Sequence, residues 1–218
     1  SIPCPSPMHM SFGGNTSCVE VSLDGSRLIL DAGTGIRQLG HWLLKKNVTE
    51  ACILLSHTHW DHISGFPFFS PAFRPNRTFK ILAGHLWDNG GIEDLMIRQF
   101  AQPTFPVPLE KMGGNLVFED FKVGESLDLL KNTNIKTMPL IPPDGAVGYR
   151  VEFRGKSLCY VTDTEHTPGQ PDENVLQLIE GADLVIYDST YTDKEFSSKI
   201  GWGHSTWQEG IRLCKRAG

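Results

Sequence analysis

Residues 57–62 read His-Thr-His-Trp-Asp-His, placing three of the chain's eight histidines and an aspartate in six positions, directly after the apolar run 51–56. Imidazole nitrogen and carboxylate oxygen are the ligands that Zn²⁺ and similar divalent ions take in hydrolytic sites. In an extended segment, residues two apart project the same way. His57 and His59 can therefore grip one ion. Past a turn, Asp61 and His62 can reach a second. A solvated polar loop rarely concentrates these residue types behind a buried strand, so metal binding is the expectation.

Other elements end on similar residues. Residues 17–23, an Asp24-Gly25 turn and residues 27–33 read as a hairpin carrying Asp31. Residues 51–56 are apolar and too short for a helix, which predicts a strand buried on both faces. A second hairpin over 148–163, turning at 154–156, ends at Asp163. Residues 183–189 read as a buried strand ending at Asp188. Ligands in layered α/β proteins gather at strand carboxyl ends, and four such endings predict one shared site. Helical spacing marks 35–46, 91–101, 173–182 and 205–218, the last with Ser205 as its N-cap. Strands are expected at 78–84, and as edge or half-buried elements at 115–121 and 133–141. Hairpins mixed with β-α-β connections predict a single domain of α/β or α+β class.

Composition narrows the functions. The chain has 218 residues and a formal charge of −5, without the clustered Lys and Arg that phosphate-backbone contacts need. No apolar run reaches the roughly 18–20 residues of a membrane span, and the first ten residues lack the pattern of a signal peptide. Five scattered cysteines without CxxC spacing, with Cys52 and Cys159 inside strand-like runs, predict reduced thiols and a cytoplasmic setting.

The segment HTHWDH resembles the HxHxDH signature of the metallo-β-lactamase fold, a four-layered αββα sandwich. GGNTSCVEV and LILDAGTGIRQLG (13–21 and 28–40) resemble its opening hairpin and Asp-containing turn. YVTDTEH (160–166) resembles the strand that carries the aspartate bridging two metals, here Asp163. LVIYDSTY followed by GWGHST (184–191 and 201–206) resembles the RNase Z-like phosphodiesterase branch, where the acid and histidine map to Asp188 and His204. The resemblance implies a hydrolase with two divalent ions, Zn first and Mn or Fe as alternatives, held by His57, His59, Asp61, His62 and Asp163. It implies attack by a metal-bound hydroxide, with Asp61 holding the nucleophile. His204, oriented by Asp188, would then act as acid for the leaving oxygen. Asp31 either orients a histidine ligand or shapes the turn before Gly33. His166 is either a substitute ligand or a surface-loop residue.

The chain departs from the family pattern in two places. Pro142 stands where relatives carry a further histidine. The final histidine is expected past the last helix and one more strand, a position that the sequence to Gly218 does not include. The resemblance thus implies a domain over 1–218 trimmed at both ends, without its first and last strands. Each ion would lack one protein ligand, which favours a binding or sensor module as one alternative. A lactonase or thioesterase is the other. The 25-residue spacing from Asp163 to Asp188 leaves no room for a long tRNA-gripping arm. With the acidic balance, this predicts a small phosphodiester substrate rather than a long nucleic acid; a homodimer stays open. Residues 65–79 carry five phenylalanines with Arg74 and Arg77. They form either core packing plus a loop, or a pocket wall that stacks on an aromatic group and meets phosphate.

Overall fold

The computed structural model describes residues 2–87, 90–103, 105–141 and 145–218. The chain divides into two compact units, Ser1–Phe121 and Lys122–Gly218, each built on one five-stranded sheet.

In the first unit β1 (Val19–Leu23), β2 (Ser26–Leu30), β3 (Glu50–Leu55), β4 (Thr78–Ala83) and β5 (Asn115–Asp120) lie side by side in chain order. β1 and β2 form the expected hairpin. Asp24 and Gly25 both have left-handed φ, 49° and 93°, as a two-residue turn matched to strand twist requires. The pairs from β2 to β5 are parallel, so the chain must cross over between them. Helices α1 (Gly35–Lys45), α2 (Trp60–Ile63) and α3 (Gly91–Gln99) lie in those crossovers. β3 is buried at every position except Glu50, the mark of a strand covered on both faces. α1 turns Ile36, Gly40 and Leu43 inward, and α3 buries Ile92 and Met96.

The phenylalanine-rich stretch settles mostly as core. Phe66, Phe69 and Phe79 are fully buried, and the rings of Phe69 and Phe79 meet edge-on at 4.8 Å. Arg77 donates to the carbonyl of Val48 and to Asn47 Oδ1, so it ties two loops together rather than presenting a phosphate grip. Phe68 and Arg74 remain exposed.

In the second unit the sheet order is β10-β9-β8-β7-β6. These are β6 (Ser126–Leu127), β7 (Thr133–Pro139), β8 (Val147–Phe153), β9 (Lys156–Val161) and β10 (Leu184–Tyr187). β6 to β9 pair antiparallel, and β10 joins β9 in parallel after α4 (Glu173–Ile179). The β8–β9 turn is Arg154-Gly155, with φ of 50° and 74°; Lys156 already opens β9. α5 (Asp193–Phe196) and α6 (Trp207–Ala217) follow. The core gathers Cys159, Val161, Val175, Leu178 and Leu213.

Three expectations change here. α4 stops at Ile179, not 182, and Glu180 leaves the helical region with ψ 121°. β10 is not a buried strand: it lies at the sheet edge, and Leu184 is 53% exposed. Its apolar composition cannot distinguish an edge from a centre. α6 is capped by Thr206, whose side chain accepts from Glu209 N–H, and not by Ser205. Pro142 lies outside the described residues. All five thiols are free, with Cys52 and Cys159 buried, as expected. Among the described residues no helix is long and apolar enough to cross a membrane.

Candidate functional site

In the first unit the chemistry starts where β2 and β3 end. Asp31 follows β2, fully buried, with φ of 62°. Ser56, the first residue after β3, donates its backbone N–H to Asp31 Oδ1 at 2.7 Å and its hydroxyl to the same carboxylate at 2.8–2.9 Å. His62 Nδ1 donates to Asp31 Oδ2 at 2.7 Å. His57 Nδ1, 3.0 Å from Ser56 Oγ, donates to that hydroxyl, which is the donor towards Asp31. One buried carboxylate thus fixes His62 directly and His57 through Ser56. It places the protons on Nδ1 of both rings and leaves Nε2 of each as the atom suited to coordinate. Both readings of Asp31 therefore hold: it makes the turn and it orients histidines.

The loop between these anchors is short and tightly folded. His57 Nε2 and His59 Nδ1 converge at 2.9 Å, and the rings of His57 and His62 lie 4.2 Å apart. α2 carries Asp61 and His62, whose Oδ2 and Nε2 are 3.4 Å apart. Burial opposes ionisation of Asp61, but its neighbour His62 outweighs it and holds the carboxyl well below its ordinary range. The Asp31 turn approaches this loop so closely that only glycine fits at two positions. A Cβ on Gly33 would overlap the Asp61 carbonyl oxygen, and one on Gly65 would overlap that of Gly33. Trp60, inside the motif, is 67% exposed. His85, just past β4, bonds Thr58 Oγ1 through Nε2 at 2.9 Å. Burial first, and then the neighbouring His57, push its pKa down to about 4, so it is a neutral imidazole beside the motif. The sequence offers no spacing signal for that contact.

In the second unit Asp163 follows β9 and Asp188 follows β10, neighbouring parallel strands. His204 Nδ1 donates to Asp188 Oδ2 at 2.9 Å and lies 3.9 Å from Asp163 Oδ1. One ligand-type atom from each of Asp163, Asp188 and His204 falls within 4.8 Å of the others. Asp188 is itself held: its Oδ1 accepts from Thr190 N–H and Oγ1, and its Oδ2 from Thr164 N–H. The hydrogen bond to Asp188, opposed by partial burial, raises the His204 pKa above its ordinary value. The expected orientation of His204 by Asp188 is thus present.

His166 is not a surface-loop residue. It is 7% exposed, its Nδ1 bonds Ser205 Oγ at 2.7 Å, and its ring stacks on Phe196 at 4.1 Å. Ser205 is in turn bonded to Tyr187 OH at 2.9 Å. That network explains why Ser205 is drawn inward, leaving the cap of α6 to Thr206. Glu165, for which no local sequence pattern signals a role, accepts from the backbone ahead of His204.

Comparison with known proteins bears on both units. Residues 26–218 match the beta-lactamase superfamily domain. Ribonuclease Z of Haloarcula marismortui is 23% identical over 249 residues, covering 94% of this chain and 78% of its own. The crystal structure of human tRNase Z, short form, matches with a TM-score of 0.71 at 19% identity, over 99% of this chain and 84% of its own. The metallo-β-lactamase fold protein YhfI of Bacillus subtilis matches with a TM-score of 0.70 at 20% identity, over 100% of this chain and 78% of its own. The metallo-β-lactamase fold expected from the sequence is therefore the fold of this chain, with its two sheets and, among the described residues, six helices.

Proposed function

The chain belongs to the beta-lactamase superfamily, and from that premise we propose that it is a metal-dependent hydrolase of phosphodiesters. The observation that carries this reading is the orienting of imidazoles by buried carboxylates: Asp31 on His62 and, through Ser56, His57, and Asp188 on His204. On this reading the two units act as one domain. His57, His59, Asp61 and His62 serve with Asp163 as ligands of two divalent ions, Zn first and Mn or Fe as alternatives. The donor set of the first unit fits such ions, since imidazole nitrogens of His57 and His59 converge at 2.9 Å and the rings of His57 and His62 are oriented from behind. Divalent ions held this way ionise water near neutral pH and offset charge on phosphoryl oxygens.

The chain's own groups supply the remainder. Asp61 holds the attacking water in line with the bond to be broken. As the new P–O bond forms and the old one breaks, His204 gives its Nε2 proton to the departing oxygen. Asp188, on Nδ1, keeps the ring aimed and stabilises its charged form. The His204–Asp188 pair, with the Ser205-Thr206 that follows His204, is the feature favouring phosphodiesters over lactones and thioesters.

The comparisons correct one expectation about substrate. The relatives carry the names ribonuclease Z and tRNase Z, so the expectation against a long nucleic acid is not borne out. An RNA phosphodiester therefore replaces a small molecule as the proposed substrate. Turnover of bis(p-nitrophenyl) phosphate, a tRNA transcript, a lactone and a thioester tests the assignment. Hydrolysis of the first two is the expected result. Lactone or thioester turnover without phosphodiester turnover would overturn it, and metal uptake with no turnover would point to a binding module.

A further inference from the structure

His204 sits in a loop with almost no secondary structure of its own, between α5 and α6. What holds it comes from residues 165 and 166. The Glu165 carboxylate accepts from Gly201 N–H at 2.8 and 2.9 Å and from Gly203 N–H at 2.7 Å. Both glycines have left-handed φ, 86° and 76°, a region that strains any residue bearing a Cβ. Left alone, such a two-glycine loop would sample many conformations. On the far side of His204, the hydroxyl of fully buried Ser205 bonds His166 Nδ1 and Tyr187 OH. The residues before and after His204 are thus pinned by two consecutive side chains. Both belong to the segment that carries Asp163.

Ionised carboxylates make strong hydrogen bonds to backbone N–H. Two amides converging on one carboxylate fix both the position and the direction of the chain that enters His204. We propose that Glu165 is a positioning residue. It sets loop 201–203 so that His204 Nδ1 meets Asp188 at 2.9 Å and Nε2 faces the departing oxygen. The assignment rests on the reading of His204 as the acid for that oxygen. Glu165 touches neither substrate nor metal and acts only through His204. His166 and Ser205 complete the clamp from the other side.

The test uses two phosphodiesters. Bis(p-nitrophenyl) phosphate loses a stabilised anion and needs little help from an acid, whereas a dialkyl phosphate or RNA loses a basic alkoxide. Glu165→Ala is expected to slow the alkoxide reaction about 10- to 100-fold, the scale of a misplaced catalytic group. The loss on the activated ester should stay within about threefold, because less proton transfer is demanded there. In a His204→Ala background, Glu165→Ala should cost less than about twofold more. A readout without turnover is the imidazole ¹H–¹⁵N spectrum. At a pH above its pKa, wild-type His204 should show one tautomer, protonated at Nδ1, and Glu165→Ala should show averaged nitrogens. Should Glu165→Ala fail to fold, Glu165→Gln keeps the volume and weakens the acceptor, and the same shifts are expected. Equal losses on both esters, full additivity with His204→Ala, or an unmoved His204 spectrum would each overturn the proposal. If the wild type hydrolyses neither ester, the phosphodiesterase reading fails, while the spectrum still decides whether Glu165 positions the ring.

Discussion

Asp31→Asn is expected to weaken divalent-metal binding by about 10- to 100-fold, the usual cost of removing a partner that orients a ligand histidine. The choice of asparagine isolates the role. Asn tolerates left-handed φ as Asp does, so the turn at φ 62° survives. What changes is the acceptor. Asp31 receives His62 Nδ1, the Ser56 hydroxyl and the Ser56 amide with both carboxylate oxygens. An amide offers one acceptor oxygen and brings two donors, so one of these partners must meet an N–H instead. His62 can then turn to the tautomer that presents the wrong nitrogen, and the Ser56 relay to His57 is broken. Asp31→Ala goes further. It takes a fully buried carboxylate from its buried partners, which should destabilise the protein by roughly 3–5 kcal/mol. Calorimetric titration with Zn²⁺ and urea unfolding of the metal-free forms measure the two effects. Unchanged metal affinity in Asp31→Asn would reduce the residue to a turn former.

His204→Ala should lower turnover of a phosphodiester with a basic leaving group by about 10²–10⁴-fold, the span general acids contribute. The effect on bis(p-nitrophenyl) phosphate should be far smaller. The pH dependence follows from Asp188. Its hydrogen bond favours the charged ring and raises the His204 pKa above the ordinary 6.5. An acid must be protonated to act, so the rate on the basic-leaving-group ester should fall as pH rises through that elevated value. Asp188→Asn removes the favourable charge and lowers the His204 pKa, moving the fall to lower pH. A decline that stays in place in Asp188→Asn would mean that another group carries the proton.

The parts of this site that could be read from the sequence are those where chemistry is written in short spacings. Four histidines and aspartates in residues 57–62, and Asp31, Asp163 and Asp188 each at a strand end, follow from alternation, burial and chain direction alone. The β1–β2 hairpin was equally legible, because Asp24-Gly25 demands one turn geometry. What escaped was set by partners distant in sequence. The Ser56 relay links residues 25 positions apart, and the His166–Ser205 bond spans 39. No local pattern announces either, so Ser205 read as a helix cap and His166 as a loop residue. Glu165 escaped for the same reason: its partners are backbone amides 36 and 38 residues away. Edge position is likewise a property of the sheet and not of the strand, which is why β10 read as buried. The phenylalanines of 65–79 could be assigned to core or pocket only once their packing was known.

The most direct test of metal-dependent hydrolysis is metal content measured together with turnover on one preparation. Mass-spectrometric metal analysis of the purified protein, after chelation and after readdition of Zn²⁺ or Mn²⁺, is paired with bis(p-nitrophenyl) phosphate hydrolysis at each stage. Two divalent ions per chain, turnover lost with them and restored on readdition, and both abolished by Asp163→Ala are the results expected. Turnover that survives complete removal of metal, or an Asp163→Ala protein that keeps both ions and rate, would contradict the account.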